Sequence, residues 1–554
     1  MTYVLPKLSC MKYKFIIFIV ASIAVCAAAG KWSFLPFCIM ELLLIFAFTL
    51  AMGRRHVRWA NVLNALLLFL YSAQLFIYHF TGEFISLLML ENIDMMSSLG
   101  DDLPVYVLTA LPFIVLLSIP FRKLPGMHLP KLSHVGIATL AYMAILGVSV
   151  TLCQAPLSPL SASAALCNSF IRTAMVNTGK LSEDERAEII SEFYRDSIPG
   201  TDVRLLPEYR KAPNVIVILT EGLSAEVLDV YNAAGRGLTP NIDDLYSKSV
   251  VFDNYFNHTA ATFRALRGQM FSSYQYQGGY QDGEGLGEIS ADEVRSRLDV
   301  GAASLIDILN DRGYNTCYVN PEPGVPQIVE YARTFGVDTL MSGTFRGGQA
   351  LTDRQIFDVL AEAVREHEKK DVPYFILFYN LGTHHGFDSP DVRYGDGTNP
   401  YLNKFYNYDC WFGKFMNEMT EAGVFDNTLL VFTSDHASYP APDFKDTFET
   451  ERDVFISSVP LMIYTDGIVP CNYDVRGRNS LDLAPTLLDL LDVEDCANIF
   501  LGTSLFREPM TDFSYVSAIG DSFYSTLGGD VRKLKGSDSR VRQIKKYYRV
   551  SLND

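Results

Sequence analysis

The sequence is poor in cysteine, in positive charge and in repetition, and each deficit removes a class of protein. Nine cysteines serve 554 residues. Those after residue 154 (Cys167, Cys317, Cys410, Cys471 and Cys496) are odd in number and widely spaced, with no C-x-x-C pair, so disulfides are not the framework. Lys and Arg number 46 against 63 Asp and Glu, a net charge of −17 that argues against nucleic acid as a partner. There is no internal repeat and no low-complexity tract. Mean hydropathy is nevertheless positive, at +0.13. A strongly charged chain with positive hydropathy must segregate its apolar residues, and this one does.

Long hydrophobic runs are confined to the first 154 residues. They fall at about 13–30, 34–52, 60–80, 103–121 and 135–153, each close to the ~20 residues a helix needs to cross a bilayer. Lys7, Lys12 and Lys14 precede the first run, Arg54, Arg55 and Arg58 follow the second, and Arg122, Lys123 and Lys131 follow the fourth. The segment between the third and fourth runs is acidic, with Glu83, Glu91, Asp94, Asp101 and Asp102. By the positive-inside rule this predicts five spans, a cytoplasmic N-terminus and an extracytoplasmic remainder, a multi-pass protein of the cytoplasmic membrane. A cleaved signal peptide at the first run would leave four spans and invert that charge logic. Glu41 is the one acidic residue inside a run; with no second acid or base beside it, it reads as inter-helical glue. The same scarcity of intramembrane ionisable groups argues against a transporter.

Residues 155–213 read as a linker with a helical stretch near 183–195, and 214–554 as an extracytoplasmic catalytic domain. There, strand patterns at 214–220, 249–256, 315–320, 374–379, 429–433 and 461–464 alternate with amphipathic helix patterns at 302–312, 353–369, 405–422 and 480–491. Such alternation predicts an α/β fold with a central, mostly parallel sheet.

Three of the strand patterns end in groups that do chemistry. N-V-I-V-I-L-T-E-G stops at Glu221, T-L-L-V-F-T-S-D-H ends in Asp435 and His436, and P-Y-F-I-L-F-Y-N-L-G-T-H-H-G leads to His384 and His385. Carboxyl ends of strands in open α/β sheets are where ligands bind, and carboxylates with imidazole suit Zn²⁺ or Mn²⁺. In H-T-A-A-T-F-R-A-L-R-G-Q-M-F-S, Thr259 and Thr262 precede a helix carrying Arg264 and Arg267. A hydroxyl beside a metal can serve as a nucleophile, and arginines next to it suit a phosphate. The bland alternatives are a threonine that only caps the helix and arginines that are solvated and paired with acids.

These motifs, together with T-P-N-I-D-D-L (239–245) and D-L-A-P-T-L-L-D-L-L (482–491), resemble the lipoteichoic acid synthase, or phosphoglycerol transferase, branch of the alkaline phosphatase/sulfatase superfamily, in which five membrane helices precede a sulfatase-like domain. The resemblance implies one divalent metal, Mn²⁺ or Zn²⁺, on Glu221, Asp435 and His436 with Thr262 Oγ. It implies Thr262 as nucleophile, ahead of Thr259, and His385 at the phosphate or leaving group, with His384 its rival. Arg264, Arg267 and His384 would line the substrate. Asp482 and Pro485 fall in a motif that is structural in relatives.

The departures bear on the substrate. The C/S-x-P-x-R of sulfatases is absent, which disfavours sulfate-ester hydrolysis, and no cysteine lies between Cys167 and Cys317, unlike phosphoethanolamine transferases. The G-K-T-S-D of lipoteichoic acid synthases is also missing, and Y-V-N-P-E-P-G after Cys317 lacks their substrate-binding residues. The expected activity is transfer of a phosphoglycerol-type headgroup from a membrane phospholipid donor to a glycan or polymer hydroxyl, through a phospho-threonine. A phosphodiester or sulfate-ester hydrolase, a phosphoethanolamine transferase and a binding-only sensor are the competing readings.

Overall fold

A run whose every residue is apolar or β-branched, like 215–220, has no face to offer water and must be covered on both sides. In the computed structural model Asn214–Thr220 (β1) is buried throughout. Val215, Val217 and Leu219 enter one hydrophobic core and Ile216 and Ile218 the other. The structure describes residues 8–29, 32, 34–81, 130–152, 183–201, 203, 205–209, 211–232, 236–274, 294, 303–322, 325–342, 350–520 and 522–551. By contacts the chain divides into two units, Met1–Gly179 and Lys180–Asp554.

The first unit contains helices Leu8–Ala29, Leu35–Met52, Val57–Thr81 and Leu132–Leu152. Among the described residues two stretches, Leu35–Met52 and Val57–Phe76, are long and apolar enough to cross a membrane, with shorter apolar helices at Lys14–Ala27 and Leu132–Leu146. The span expected at 103–121, its acidic neighbour and most of the linker lie outside the described residues. Buried polar groups join these helices in pairs. Tyr142 donates to Glu41 Oε1 (2.6 Å), tying the fourth described helix to the second. Lys14 donates to Asn64 Oδ1 (2.9 Å), and Asn64 to Thr49 Oγ1 (2.9 Å).

The second unit is built on an eight-stranded sheet. Its strands are β1, β2 (Val250–Asp253), β3 (Asn315–Val319), β4 (Thr339–Met341), β5 (Tyr374–Tyr379), β6 (Thr428–Ser434), β7 (Leu461–Tyr464) and β8 (Cys471–Asp474). The order is β4-β3-β5-β1-β6-β7-β2-β8. All pairings from β4 to β6 are parallel, while β7 runs antiparallel to both β6 and β2. Helices Pro240–Lys248, Asp353–Glu368 and Pro400–Glu421 contribute to one core, and Thr262–Phe271, Leu305–Asp311, Pro326–Arg333 and Leu483–Leu490 to the other.

Boundaries moved where local chemistry overrode periodicity. The strand at 249–256 stops at Asp253, because Asn254 takes φ 57 and breaks the ladder. Helix Leu305–Asp311 starts late, at a Ser304/Asp307 capping box. Helix Pro400–Glu421 starts early, because Asn399 caps it and Pro400 suits its first turn. A smaller sheet, β9 (Val516–Ile519), β10 (Ser522–Ser525) and β11 (Arg532–Lys533), is antiparallel. Helix Glu183–Phe193, counted with the linker in sequence, shares a core with this sheet and with helix Ser539–Ser551. Cys26, Cys38, Cys317, Cys410, Cys471 and Cys496 are free.

Candidate active site

Because β5, β1 and β6 are parallel neighbours, their carboxyl ends open on one edge, and the sequence has put its polar residues there. β1 ends at Thr220 and hands over to Glu221, which is 2 % exposed. Gly222 follows at φ 55, a conformation that favours glycine, and its N–H donates to Asp435 Oδ1 (2.8 Å). Asp435 and His436 follow β6. Donor atoms of Glu221, Asp435 and His436 all lie within 4.8 Å of one another, and all three residues are buried. His436 Nε2 is 3.6 Å from Glu221 Oε1 and 3.4 Å from Asp435 Oδ2.

This grouping fits a divalent cation on three counts. Asp435 Oδ2 is buried without a hydrogen-bond partner, an orphan that costs free energy unless something positive meets it. Burial, and then the charge of Glu221, push the Asp435 carboxyl well above the usual range. Burial would raise Glu221 too, but the imidazoles of His436 and His384 and hydrogen bonds from Tyr379 and Thr262 more than offset it and hold it low. Finally, His436 Nδ1 lies 2.8 Å from the Ala437 carbonyl. A carbonyl only accepts, so Nδ1 carries a proton, and Nε2 is the ring nitrogen that faces the carboxylates and would be left to bind a metal.

The two threonines separate cleanly. Thr262 opens helix Thr262–Phe271, and its Oγ1 donates to Glu221 Oε2 at 2.8 Å across 41 positions of sequence. Ala261 just before it is held at φ 71, a strained setting for a residue with a Cβ. Thr259 is 5 % exposed and donates to the carbonyl of Ala518 (2.7 Å). It does not cap the helix, whose N-cap is Ala261.

The arginines differ from the solvated reading. Neither is solvated: Arg264 is 7 % and Arg267 1 % exposed. The Arg267 guanidinium donates to Thr334 Oγ1 (2.8 Å) and lies 4.0 Å from the centre of the Phe271 ring.

The histidines also divide. His384 feels the charges of both Glu221 and His436, and its Nδ1 lies 2.7 Å from the His385 carbonyl, which leaves Nε2 as the acceptor. His385 turns instead to the Tyr401 hydroxyl (2.8 Å) and the Tyr439 ring (5.1 Å).

Several residues that carry the geometry were not singled out in the sequence. Asn380 Oδ1 accepts from the Glu221 N–H (3.0 Å), while its amide donates to Asp353 (3.0 Å) and Thr383 (3.1 Å). Thr383 Oγ1 donates to the Glu221 carbonyl (2.6 Å). Gln269, on the Thr262 helix, donates to the carbonyls of Ser434 and Asp435 (3.1 and 3.0 Å), so one helix carries both the hydroxyl and a clamp on the Asp435 loop. Lys404, 2 % exposed, donates to the His384 carbonyl (3.0 Å), and its ammonium lies 4.2 Å from the Tyr401 ring centre. Burial brings Lys404 down to about 7. Their only sequence signal was position, in the N-L-G-T-H-H loop and on the two helices flanking the edge.

Residues 213–493 match the Sulfatase family, and the chain belongs to it, as a lipoteichoic acid synthase-like member of the alkaline phosphatase/sulfatase superfamily. It is 22% identical over 332 residues to the lipoteichoic acid synthase-like YvgJ of Bacillus subtilis (strain 168), covering 55% of this chain and 51% of that protein. The chain spans about half the length of the curated relatives it matches. Among solved structures, the lipoteichoic acid synthase LtaP from Listeria monocytogenes aligns with a TM-score of 0.51 at 16% identity, over 67% of this chain and 97% of that one. The integral membrane protein lipooligosaccharide phosphoethanolamine transferase A from Neisseria meningitidis aligns with a TM-score of 0.52 at 12% identity, over 87% of this chain and 94% of that one. At these identities the structural likeness establishes the fold.

Proposed function

We propose that the chain is a membrane-anchored, metal-dependent phosphotransferase of five spans, moving a phosphoglycerol-type headgroup from a phospholipid to an extracytoplasmic hydroxyl on a glycan or polymer. The observation that carries the reading is the Thr262 hydroxyl 2.8 Å from Glu221, beside two further buried donors with an orphaned carboxylate oxygen. Glu221, Asp435 and His436 would hold Mn²⁺ or Zn²⁺, which when bound stabilises negative charge on the phosphoryl group and lowers the pKa of the Thr262 hydroxyl.

The residues' own contributions follow from their contacts. The hydrogen bond to Glu221 points the Thr262 proton at the carboxylate and leaves an oxygen lone pair free to attack. In the first step the Oγ1–phosphorus bond forms as the bond to the diacylglycerol oxygen breaks, and that oxygen gains the proton Thr262 gives up. In the second, the acceptor oxygen displaces Thr262, and the acceptor's proton returns to the threonine oxygen. His384, whose Nε2 is an acceptor within the field of Glu221, is better placed than His385 to relay that proton. Asn380, Thr383 and Gln269 keep the two strand ends in register with the Thr262 helix.

Glu322 favours a second reading for the headgroup. It follows β3, the neighbour of β5 at the same edge, and its carboxyl is raised by burial and by the charge of Glu221. A carboxyl at that strand end would complement an ammonium, as in phosphoethanolamine. Intact-mass and peptide mass spectrometry of protein quenched during turnover tests both. A glycerophosphate adduct on Thr262 supports the first reading and a phosphoethanolamine adduct the second. No adduct on Thr262 during active turnover would overturn the covalent mechanism.

A further inference from the structure

The second unit is strongly acidic except in one place. Residues 532–549 hold eight Lys or Arg and one acid, Asp538, while the rest of 180–554 holds 27 basic and 56 acidic residues. The fold exposes most of the described ones. Arg532 and Lys533 on β11 and Lys535 in the turn after it are exposed. Helix Ser539–Ser551 buries Val541, Ile544, Tyr547 and Tyr548 and leaves Arg542 and Lys545 exposed. Strand β10 steadies two of the ammonium groups: Lys533 lies 5.8 Å from the Tyr524 ring centre and Lys545 5.9 Å from that of Phe523. Among the described cations of this stretch, ion pairs involve only Arg532 with Asp530, Arg540 with Asp538 and Lys546 with Glu192.

The basic surface also has a particular place in the chain. Helix Ser539–Ser551 packs on Glu183–Phe193, through the Phe193 and Tyr547 rings (5.1 Å) and the Lys546–Glu192 pair. Glu183–Phe193 is the first helix after the boundary at Gly179. The cations therefore gather at the end of the unit where the chain enters it.

We propose that this surface docks on anionic phospholipid headgroups, an inference that rests on the membrane-anchored reading above. An acidic body tethered to an anionic bilayer is repelled within a Debye length, about 8 Å at physiological salt, whereas clustered basic residues near the surface are attracted. The two forces together select one face to point at the membrane. A soluble polyanion would be attracted too, but the tether holds lipid headgroups near this end at high effective concentration.

Lysine acetylation footprinting of the full chain in nanodiscs tests this, with discs of phosphatidylcholine alone or mixed with phosphatidylglycerol. Lys533, Lys535 and Lys545 are expected to react several-fold more slowly in the mixed discs, and to recover at about 1 M salt, where the Debye length is near 3 Å. Lys369, exposed on the acidic body, should react equally in both. The pair Arg542→Glu with Lys545→Glu, at exposed positions, should restore fast labelling of Lys533 and Lys535. Equal rates in both discs would overturn the proposal. So would slowing produced only by adding soluble polyglycerol phosphate to phosphatidylcholine discs. Failure of the chain to enter either disc would overturn the anchoring reading instead.

Discussion

Two buried acidic clusters in the second unit look alike in composition and differ in bookkeeping. Asp482 is 0 % exposed and fully answered: Arg478 donates to it at 2.7 Å, the Thr503 N–H at 2.8 Å and Ser514 Oγ at 2.7 Å. Asp435 is equally buried, but its neighbours include a second carboxylate, and one of its oxygens has no partner. The first arrangement stabilises a fold. The second leaves a place that a cation would fill, so unmet polarity, more than burial or acidity, separates a candidate site from a brace.

Four measurements would break or sharpen that contrast. The largest effect is expected at the site. Thr262→Ala should lower turnover roughly 10⁴-fold or more while the melting temperature stays near wild type, because it removes the attacking oxygen from a half-buried position. Release of diacylglycerol from a fluorescent phospholipid, beside a thermal melt, checks both halves; near-normal turnover would remove Thr262 from the chemistry.

Opposite signs are expected for the two aspartates. Asp482→Ala strands the Arg478 charge and should cost about 3–5 kcal/mol of stability, with turnover per folded molecule unchanged. Asp435→Asn relieves repulsion with Glu221, so in chelator it should melt no lower than wild type, yet bind no stoichiometric metal. Metal analysis with paired melts decides; a large loss of stability in Asp435→Asn without metal would erase the distinction.

Asp353 supplies a pH test. Burial raises its carboxyl to about 6. A raised carboxyl binds more protons folded than unfolded, so its contribution is unfavourable at neutral pH. That penalty disappears as pH falls from about 6 toward the unfolded value near 4. The stability difference between wild type and Asp353→Asn should therefore shift in favour of wild type by about 2–3 kcal/mol from pH 7 to pH 4. Denaturant melts at the two pH values measure it; a flat difference would show that the Asn380 and Asn407 amides hold Asp353 ionised throughout.

The smallest effect is expected three residues from the first. Thr259→Ala loses one hydrogen bond to Ala518 and should cost about 1 kcal/mol with a modest loss of turnover. An inactive Thr259→Ala beside an active Thr262→Ala would reverse the roles of the two hydroxyls.

Much of this architecture was legible in the sequence because it depends on neighbours in the chain. Uninterrupted apolar runs dictated strands buried on both faces, their alternation with amphipathic segments dictated a mostly parallel sheet, and Glu221, Asp435 and His436 stood out as polar residues that end such runs. Segregation of the long hydrophobic runs before residue 154 was equally plain. What tertiary structure decided was who meets whom. Strand order placed β5, β1 and β6 side by side, and only then could Glu221 reach a threonine 41 positions away and an aspartate 214 positions away. The resemblance already put Thr262 ahead of Thr259; the fold adds that the Thr259 hydroxyl is taken up by the carbonyl of Ala518. That His384 lies in the field of Glu221 while His385 meets Tyr401 was likewise not visible in the sequence. Arg267 suits a phosphate or a solvated position by sequence alone; its contact with Thr334, at the end of a helix that local pattern cannot orient, is visible only in the fold. Periodicity fixes which side of an element is buried, since that depends on residues a few positions apart. It carries no information on which distant element covers that side, and the chemistry at this sheet edge depends on that choice.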